Sequence, residues 1–191
     1  MVAPGYVLDA CVLYPVVVRD LLLTAAVFDL YEPKWSLEIL DEMRRNIVAD
    51  NTHITIDDID RKLIAPMSRQ FPEAVVEGHE KLIRAMDNHV KDRHVAAAAI
   101  RTRARAIITY NVRDFGGAAL PTAGVEIIAP PQLTRTWLAE APEVVATLID
   151  AMARRKKNPP LTSSDVIEAL LRQQGFASME RELHSLDLPS Q

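Results

Sequence analysis

The spacing of apolar positions changes along this chain, and each change marks an element. Gly5-Tyr-Val-Leu-Asp9 is a short apolar run that closes on a carboxylate and predicts a strand. After Pro15, the stretch Val16 to Asp29 is long enough for a helix. Ser36 can cap a second helix, which sets Ile39, Leu40, Met43 and Ile47 on one face and turns Arg44 and Arg45 outward. Another helix runs from about Asp57 to Gln70 and stops before Pro72; Ala74 to Glu77 reads as a short strand, and His79 to Met86 as a helical turn or two. Asp92 can cap a helix that carries Val95, Ala96, Ala99 and Ile100 on one side. Ala106-Ile-Ile-Thr109 and Val125-Glu-Ile-Ile128 are two further strands, separated by a loop from Tyr110 to Thr122.

Strands that alternate with helices predict an α/β fold with a central parallel sheet and helices on both faces. Beyond Pro131 the pattern loses its strands. One helix is expected from about Thr134 to Met152, then a polar break from Arg154 to Pro160, then helical stretches after Ser163 and Gly175. Ser163 or Ser164, ahead of Asp165 and Glu168, supplies the start signal of the first, and Gly175 reads as a helix stop. The expected organisation is an α/β domain over residues 1–132 and a helical extension over 133–191.

Composition adds exclusions. The 191 residues carry 22 Lys+Arg against 26 Asp+Glu, and 49% are apolar, which is a folded, mildly acidic chain. Both expected parts are slightly acidic, so any nucleic-acid contact must be local. A single cysteine, Cys11, excludes an internal disulfide and a Cys-rich zinc site and suits a reducing compartment. The apolar runs near the N-terminus are broken by Pro15, Arg19 and Asp20, so neither a signal segment nor a membrane span is expected, and the cytoplasm is the default location.

In α/β sheets chemistry gathers beyond the carboxyl ends of the strands. Asp9 ends the first strand, Asp92 opens a helix and Asp114 lies five residues after Thr109. Each has an ordinary explanation by itself: a polar strand end, an N-cap, a turn residue. Together, three carboxylates could meet at one rim, where mutual repulsion is tolerated if they bind a hard cation such as Mg²⁺ or Mn²⁺.

The string Val7-Leu-Asp9-Ala-Cys-Val-Leu13, then Glu42 in Glu38-Ile-Leu-Asp-Glu-Met43, then Asp92-Arg-His-Val-Ala-Ala-Ala-Ala99, then Thr109-Tyr-Asn-Val-Arg-Asp-Phe115, resembles the PIN-domain family, in its VapC-type toxin branch with a helical C-terminal extension. The resemblance covers about residues 5–130 closely. It implies a PIN-like α/β/α fold and a Mg²⁺- or Mn²⁺-dependent endoribonuclease acting on single-stranded or loop RNA. By position it gives Asp9, Glu42, Asp92 and Asp114 as catalytic carboxylates, with Asp9, Asp92 and Asp114 as metal ligands. Thr109 and Asn111 become supporting residues that orient the loop bearing Asp114. It also implies a cognate antitoxin and a homodimer.

Two positions depart from the pattern. Cys11 stands where relatives commonly carry a polar residue such as Asn, so a hydrogen bond to the first aspartate is expected to be missing. Met86-Asp-Asn-His-Val-Lys91 is less acidic than expected, which leaves Asp87 as an extra candidate. Asp41 also competes with Glu42, because a one-residue shift rotates a helical side chain by about 100°.

Other chemistries fit less well. The five histidines show neither an HExxH run nor a Cys/His zinc spacing, there is no GxSxG, and six glycines form no phosphate loop. His94, beside Asp92, reads as a packed or capping residue. Arg93 and Arg113 are the basic residues nearest the acids and are candidates for RNA contact, whereas Arg101 and Arg105, i and i+4 on a helix face, read as solvated. The rival reading from another class is a noncatalytic PIN scaffold that binds RNA or protein.

Overall fold

The computed structural model describes residues 3–51 and 53–188. Four parallel strands form one sheet in the order β2-β1-β3-β4, with β1 at Gly5–Leu8, β2 at Glu32–Lys34, β3 at Ala106–Ile108 and β4 at Glu126–Ile128. β3 is fully buried, as expected of an interior strand whose residues are all apolar. Tyr6, Val7 and Leu8 pair with Ala106, Ile107 and Ile108, which pair in turn with Glu126, Ile127 and Ile128. The architecture is therefore α/β and PIN-like, with helices following the strands as their alternation predicts.

Contacts divide the chain into two units. The first comprises residues 1–14 and 31–128, and the second comprises residues 15–30 and 129–191. The first holds the sheet, α1 (Ala10–Leu13), α3 (Leu37–Asp50), α4 (Ile56–Ile59), α5 (Ala65–Gln70), α6 (Arg93–Thr102) and α7 (Ala119–Thr122). Ser36 caps α3 by accepting from the Ile39 N–H. A π-helical segment, Asp60–Ile64, joins α4 to α5, so the reading of a helix ending near Gln70 holds with an irregular middle. α6 lays buried Val95 and Ala96 to Ala99 against β1 and β3; side chains this small let helix and sheet approach closely.

The second unit holds α2 (Val16–Val27), α8 (Pro130–Glu140), α9 (Pro142–Arg155), α10 (Ser163–Leu171) and α11 (Glu180–His184). α9 is its centre, packing on α2, α8 and α10 through buried Val145, Leu148, Ile149 and Met152. The Arg155 guanidinium reaches Asp20 of α2 at 2.8 Å. None of the described helices is long and apolar enough to cross a membrane.

Several local expectations are corrected. Glu32–Lys34 is a strand that its central proline concealed, and Ala74 to Glu77 contributes only a single bridge, Trp35 to Val75. The helix expected over Thr134 to Met152 is two helices broken at Ala141, because Pro142 has no N–H to give the preceding turn. Thr162, not Ser163 or Ser164, caps α10, in a reciprocal capping box with Asp165. α6 stops at Thr102, with Arg103 in the left-handed region, so Arg105 shares no helix face with Arg101; it lies 3.8 Å from Glu126 instead.

Asp87 has a structural task. Its carboxylate accepts the N–H groups of Ala118 and Ala119 at 2.7 and 3.2 Å, and these bonds hold its pKa below the ordinary carboxylate value. Gly117 lies beneath it with φ at +118°, and a Cβ there would stand 2.5 Å from the Asp87 Oδ1. Gly117→Ala is thus expected to destabilise the protein by about 1–3 kcal/mol, measured by urea unfolding. An unchanged midpoint would show that the loop relaxes freely.

Candidate functional site

β2 lies on one side of β1 and β3 on the other, so the direction of chain progression reverses between β1 and β3. Ligand crevices form at such a switch point, beyond the carboxyl ends of the strands. Asp9 directly follows β1 and Thr109 directly follows β3. Backbone bonds from the Asp9 N–H to the Ile108 carbonyl (3.1 Å) and from the Thr109 N–H to the Ile128 carbonyl (3.0 Å) carry the ladder up to both residues.

Asp9 is 2% exposed and is held by two donors on the same oxygen. The Thr109 hydroxyl donates to Oδ2 at 2.7 Å and the Cys11 thiol at 3.1 Å. The expectation of a missing bond at Cys11 is therefore corrected. Burial, the nearby Asp9 charge and its own bond to Asp9 push the Cys11 pKa up to about 12, against the Thr109 and Tyr110 contacts, so the thiol keeps the proton it donates. The Tyr110 N–H donates to Cys11 Sγ at 3.3 Å, and the Asn111 N–H donates to Thr109 Oγ1 at 2.9 Å. Thr109 thus orients Asp9 directly, not only the loop bearing Asp114. Asn111 acts through its backbone, its carbonyl accepting the Asp114 N–H at 2.8 Å.

Asp92 sits at the N-cap position of α6 but makes no capping bond with its side chain. Asp9 likewise caps nothing at the start of α1. These buried carboxylates are engaged elsewhere, Asp9 by Thr109 and Cys11 and Asp92 beside His89 at 3.5 Å. Burial, then the charges of Asp9 and Asp114, raise the Asp92 pKa, with His89 opposing. Burial, then Asp9, raise the Glu42 pKa, with Asp92 adding and His94 and Arg45 opposing. The four carboxylates named from the sequence therefore lie close enough to feel one another. Asp41 does not join them: it pairs with Arg44, which also holds Asp60 at 2.6 Å.

Sequence reasoning missed the histidine beside the acids. His89 Nδ1 lies 3.5 Å from Asp92 Oδ2, and one ligand atom each from His89, Asp92 and Asp114 fall within 4.8 Å of one another. The His89 N–H donates to the Asp114 carbonyl at 2.8 Å, which ties the two loops together. The sequence signal was present in its position three residues before Asp92, but without the loop contact nothing aimed it. His94 Nε2 is 3.9 Å from Glu42 Oε2 and has no hydrogen bond. Arg93 is turned back onto the Asn88 carbonyl at 3.2 Å, while Arg113 is exposed.

The donor set fits a divalent ion. Neighbouring acid charges help raise the pKa of Asp92 and Glu42, so this corner is short of positive charge, and oxygen donors with one imidazole at the edge suit Mg²⁺ or Mn²⁺, the imidazole favouring the latter. Asp9, Asp92 and Asp114 would hold it, with Glu42 near enough to feel the charges of Asp9 and Asp92.

Residues 137–180 match the family model described as the VapC50 C-terminal domain. A curated relative from Mycobacterium tuberculosis, named "Putative ribonuclease VapC50", is 36% identical over 107 residues, which cover 56% of this chain and 63% of the relative. The match thus spans less than two thirds of that protein. No solved structure matches the chain significantly.

Proposed function

We propose that this chain is a VapC-type PIN protein, a Mg²⁺- or Mn²⁺-dependent endoribonuclease that serves as the toxin of a type II toxin–antitoxin pair. The observation that carries this reading is the convergence of Asp9, Glu42, Asp92 and Asp114 at the switch point of the sheet, with Asp9 and Asp92 excused from capping. The relative's description as a ribonuclease supports the same activity.

When bound, a divalent ion lowers the pKa of water and offsets the charge that builds on a phosphodiester during in-line attack. The chain's own residues prepare that site. Thr109 and Cys11 fix one Asp9 oxygen, Oδ2, and neither bonds the other, which would serve as the ligand. The bond between His89 and Asp114 holds the two loops at a set separation. Arg113, exposed on the Asp114 turn, is placed to take an RNA phosphate; Arg93 would have to leave the Asn88 carbonyl to do so. Val90 and Val112, 68% and 43% exposed, flank the acids and offer apolar contact to unstacked bases of single-stranded or loop RNA, or to an antitoxin covering the crevice. An antitoxin arginine could enter the carboxylate cluster and form bidentate bonds there. A homodimer and a cytoplasmic location complete the proposal.

The test is cleavage of an RNA with unpaired loops, titrated with Mn²⁺. Cutting that depends on Mn²⁺ and is lost in Glu42→Gln but kept within about threefold in Asp41→Ala supports the assignment, because Asp41 is committed to Arg44. A larger loss at Asp41 than at Glu42 reverses it. RNA binding without cutting at millimolar Mn²⁺ would favour the noncatalytic scaffold instead.

A further inference from the structure

A second cluster of potential ligands lies outside the acidic crevice. Glu38 stands in the first turn of α3, and His79 and Glu80 open the turn that follows Gly78. His79 is 1% exposed, yet neither of its ring nitrogens has a hydrogen-bond partner. Nε2 lies 3.4 Å from the Glu38 Oε2 and Nδ1 lies 3.9 Å from the Glu80 Oε1. Gly78 supplies the positive φ, +74°, that turns the chain just before the ring. A buried imidazole is costly unless both nitrogens are satisfied, and here it stands between two carboxylates with hydrogen-bond geometry to neither.

We propose that Glu38, His79 and Glu80 form a second metal site, separate from the acidic crevice and suited to a first-row transition ion such as Zn²⁺. One ligand atom from each of the three residues lies within 4.8 Å of the others. Ligands on a tetrahedral zinc at about 2.1 Å stand about 3.4 Å apart, and the His79–Glu38 pair already has that separation. The Glu38 and Glu80 side chains are 45% and 59% exposed, so they can rotate onto an ion, while the buried imidazole is held in place. Imidazole with two carboxylates selects a borderline ion over Mg²⁺, which prefers oxygen ligands and keeps its waters. Because Glu38 lies one turn before Glu42 on α3, an ion here would tie the start of that helix to the segment around His79.

The experiment is Zn²⁺ titration of the metal-free protein by calorimetry in excess Mg²⁺, which competes for the acidic crevice, with Co²⁺ absorbance as a spectroscopic check. Wild type and Asp92→Asn are expected to take up one Zn²⁺ equivalent that Glu38→Gln and His79→Gln lose, and the visible Co²⁺ bands should vanish in the same two variants. Loss at least tenfold in affinity in Glu80→Gln would complete the ligand set. Uptake unchanged in Glu38→Gln, whose exposed carboxylate can be altered without unfolding the protein, overturns the proposal, as does uptake lost in Asp92→Asn, which would assign the ion to the crevice.

Discussion

Asp9→Asn is expected to lower Mn²⁺-supported RNA cleavage at least about a hundredfold while leaving cooperative unfolding intact. One carboxylate removed from a metal site costs several kcal/mol of charge stabilisation, and a hundredfold in rate corresponds to about 2.7 kcal/mol. The substitution keeps the shape of the side chain. The Thr109 hydroxyl and Cys11 thiol both donate to the same Asp9 oxygen, and the amide oxygen of Asn can accept both bonds. Only the other oxygen, the proposed ligand, becomes an NH₂ group, which cannot ligate a cation. Cleavage assays across a Mn²⁺ range, beside thermal melts of both proteins, separate a lost ligand from a lost fold. Cleavage near the wild-type level at saturating Mn²⁺ would remove Asp9 from the site.

Much of this architecture could be read from periodicity because its strands are short and apolar and its helices are flanked by Pro, Ser, Thr and Asp. Glu32–Lys34 escaped that reading because three residues around a proline carry no alternation, and they become a strand only through pairing with β1. Pro142 was visible yet was read through, since the apolar pattern resumes in register beyond it. Asp9, Asp92 and Asp114 stood out by their places at strand ends and a helix start, whereas Glu42, inside a helix beside Asp41, was named only through the family pattern. What Cys11, His89 and Asp87 do depends on contacts with Thr109, Asp114 and Ala118, which only the folded backbone brings near. Glu38 and His79 are a stronger case of the same limit: no zinc spacing exists in the sequence because the two residues come from separate elements.

The acids of the crevice also predict how stability should respond to charge. Asp92 and Glu42 both have raised pKa values in the folded protein, so between the ordinary carboxylate value of about 4 and the raised value the native state binds more protons than the unfolded chain. Their contribution to stability is present at low pH and is lost as pH rises through that window; at neutral pH, without a cation, they oppose folding. Asp58, Asp87 and Asp165 have lowered values and act in the opposite sense, so the informative quantity is the difference between wild type and Asp92→Asn at each pH. Because Asp92 makes no side-chain capping bond, the variant sacrifices none, and the ion pair it gives up among the described residues is with His89 at 3.5 Å. Metal-free Asp92→Asn should therefore melt at or above the wild-type temperature at pH 7, with the gap closing as pH falls toward 4. Mn²⁺ should reverse the order, since a ligand at a hundredfold excess over its Kd adds about 2.7 kcal/mol, or about 5–10 °C for a protein of this size. Wild type is expected to show that rise and Asp92→Asn less than half of it. Equal rises in both proteins, or a metal-free variant that melts well below wild type, would mean that Asp92 stabilises the fold and does not bind the ion.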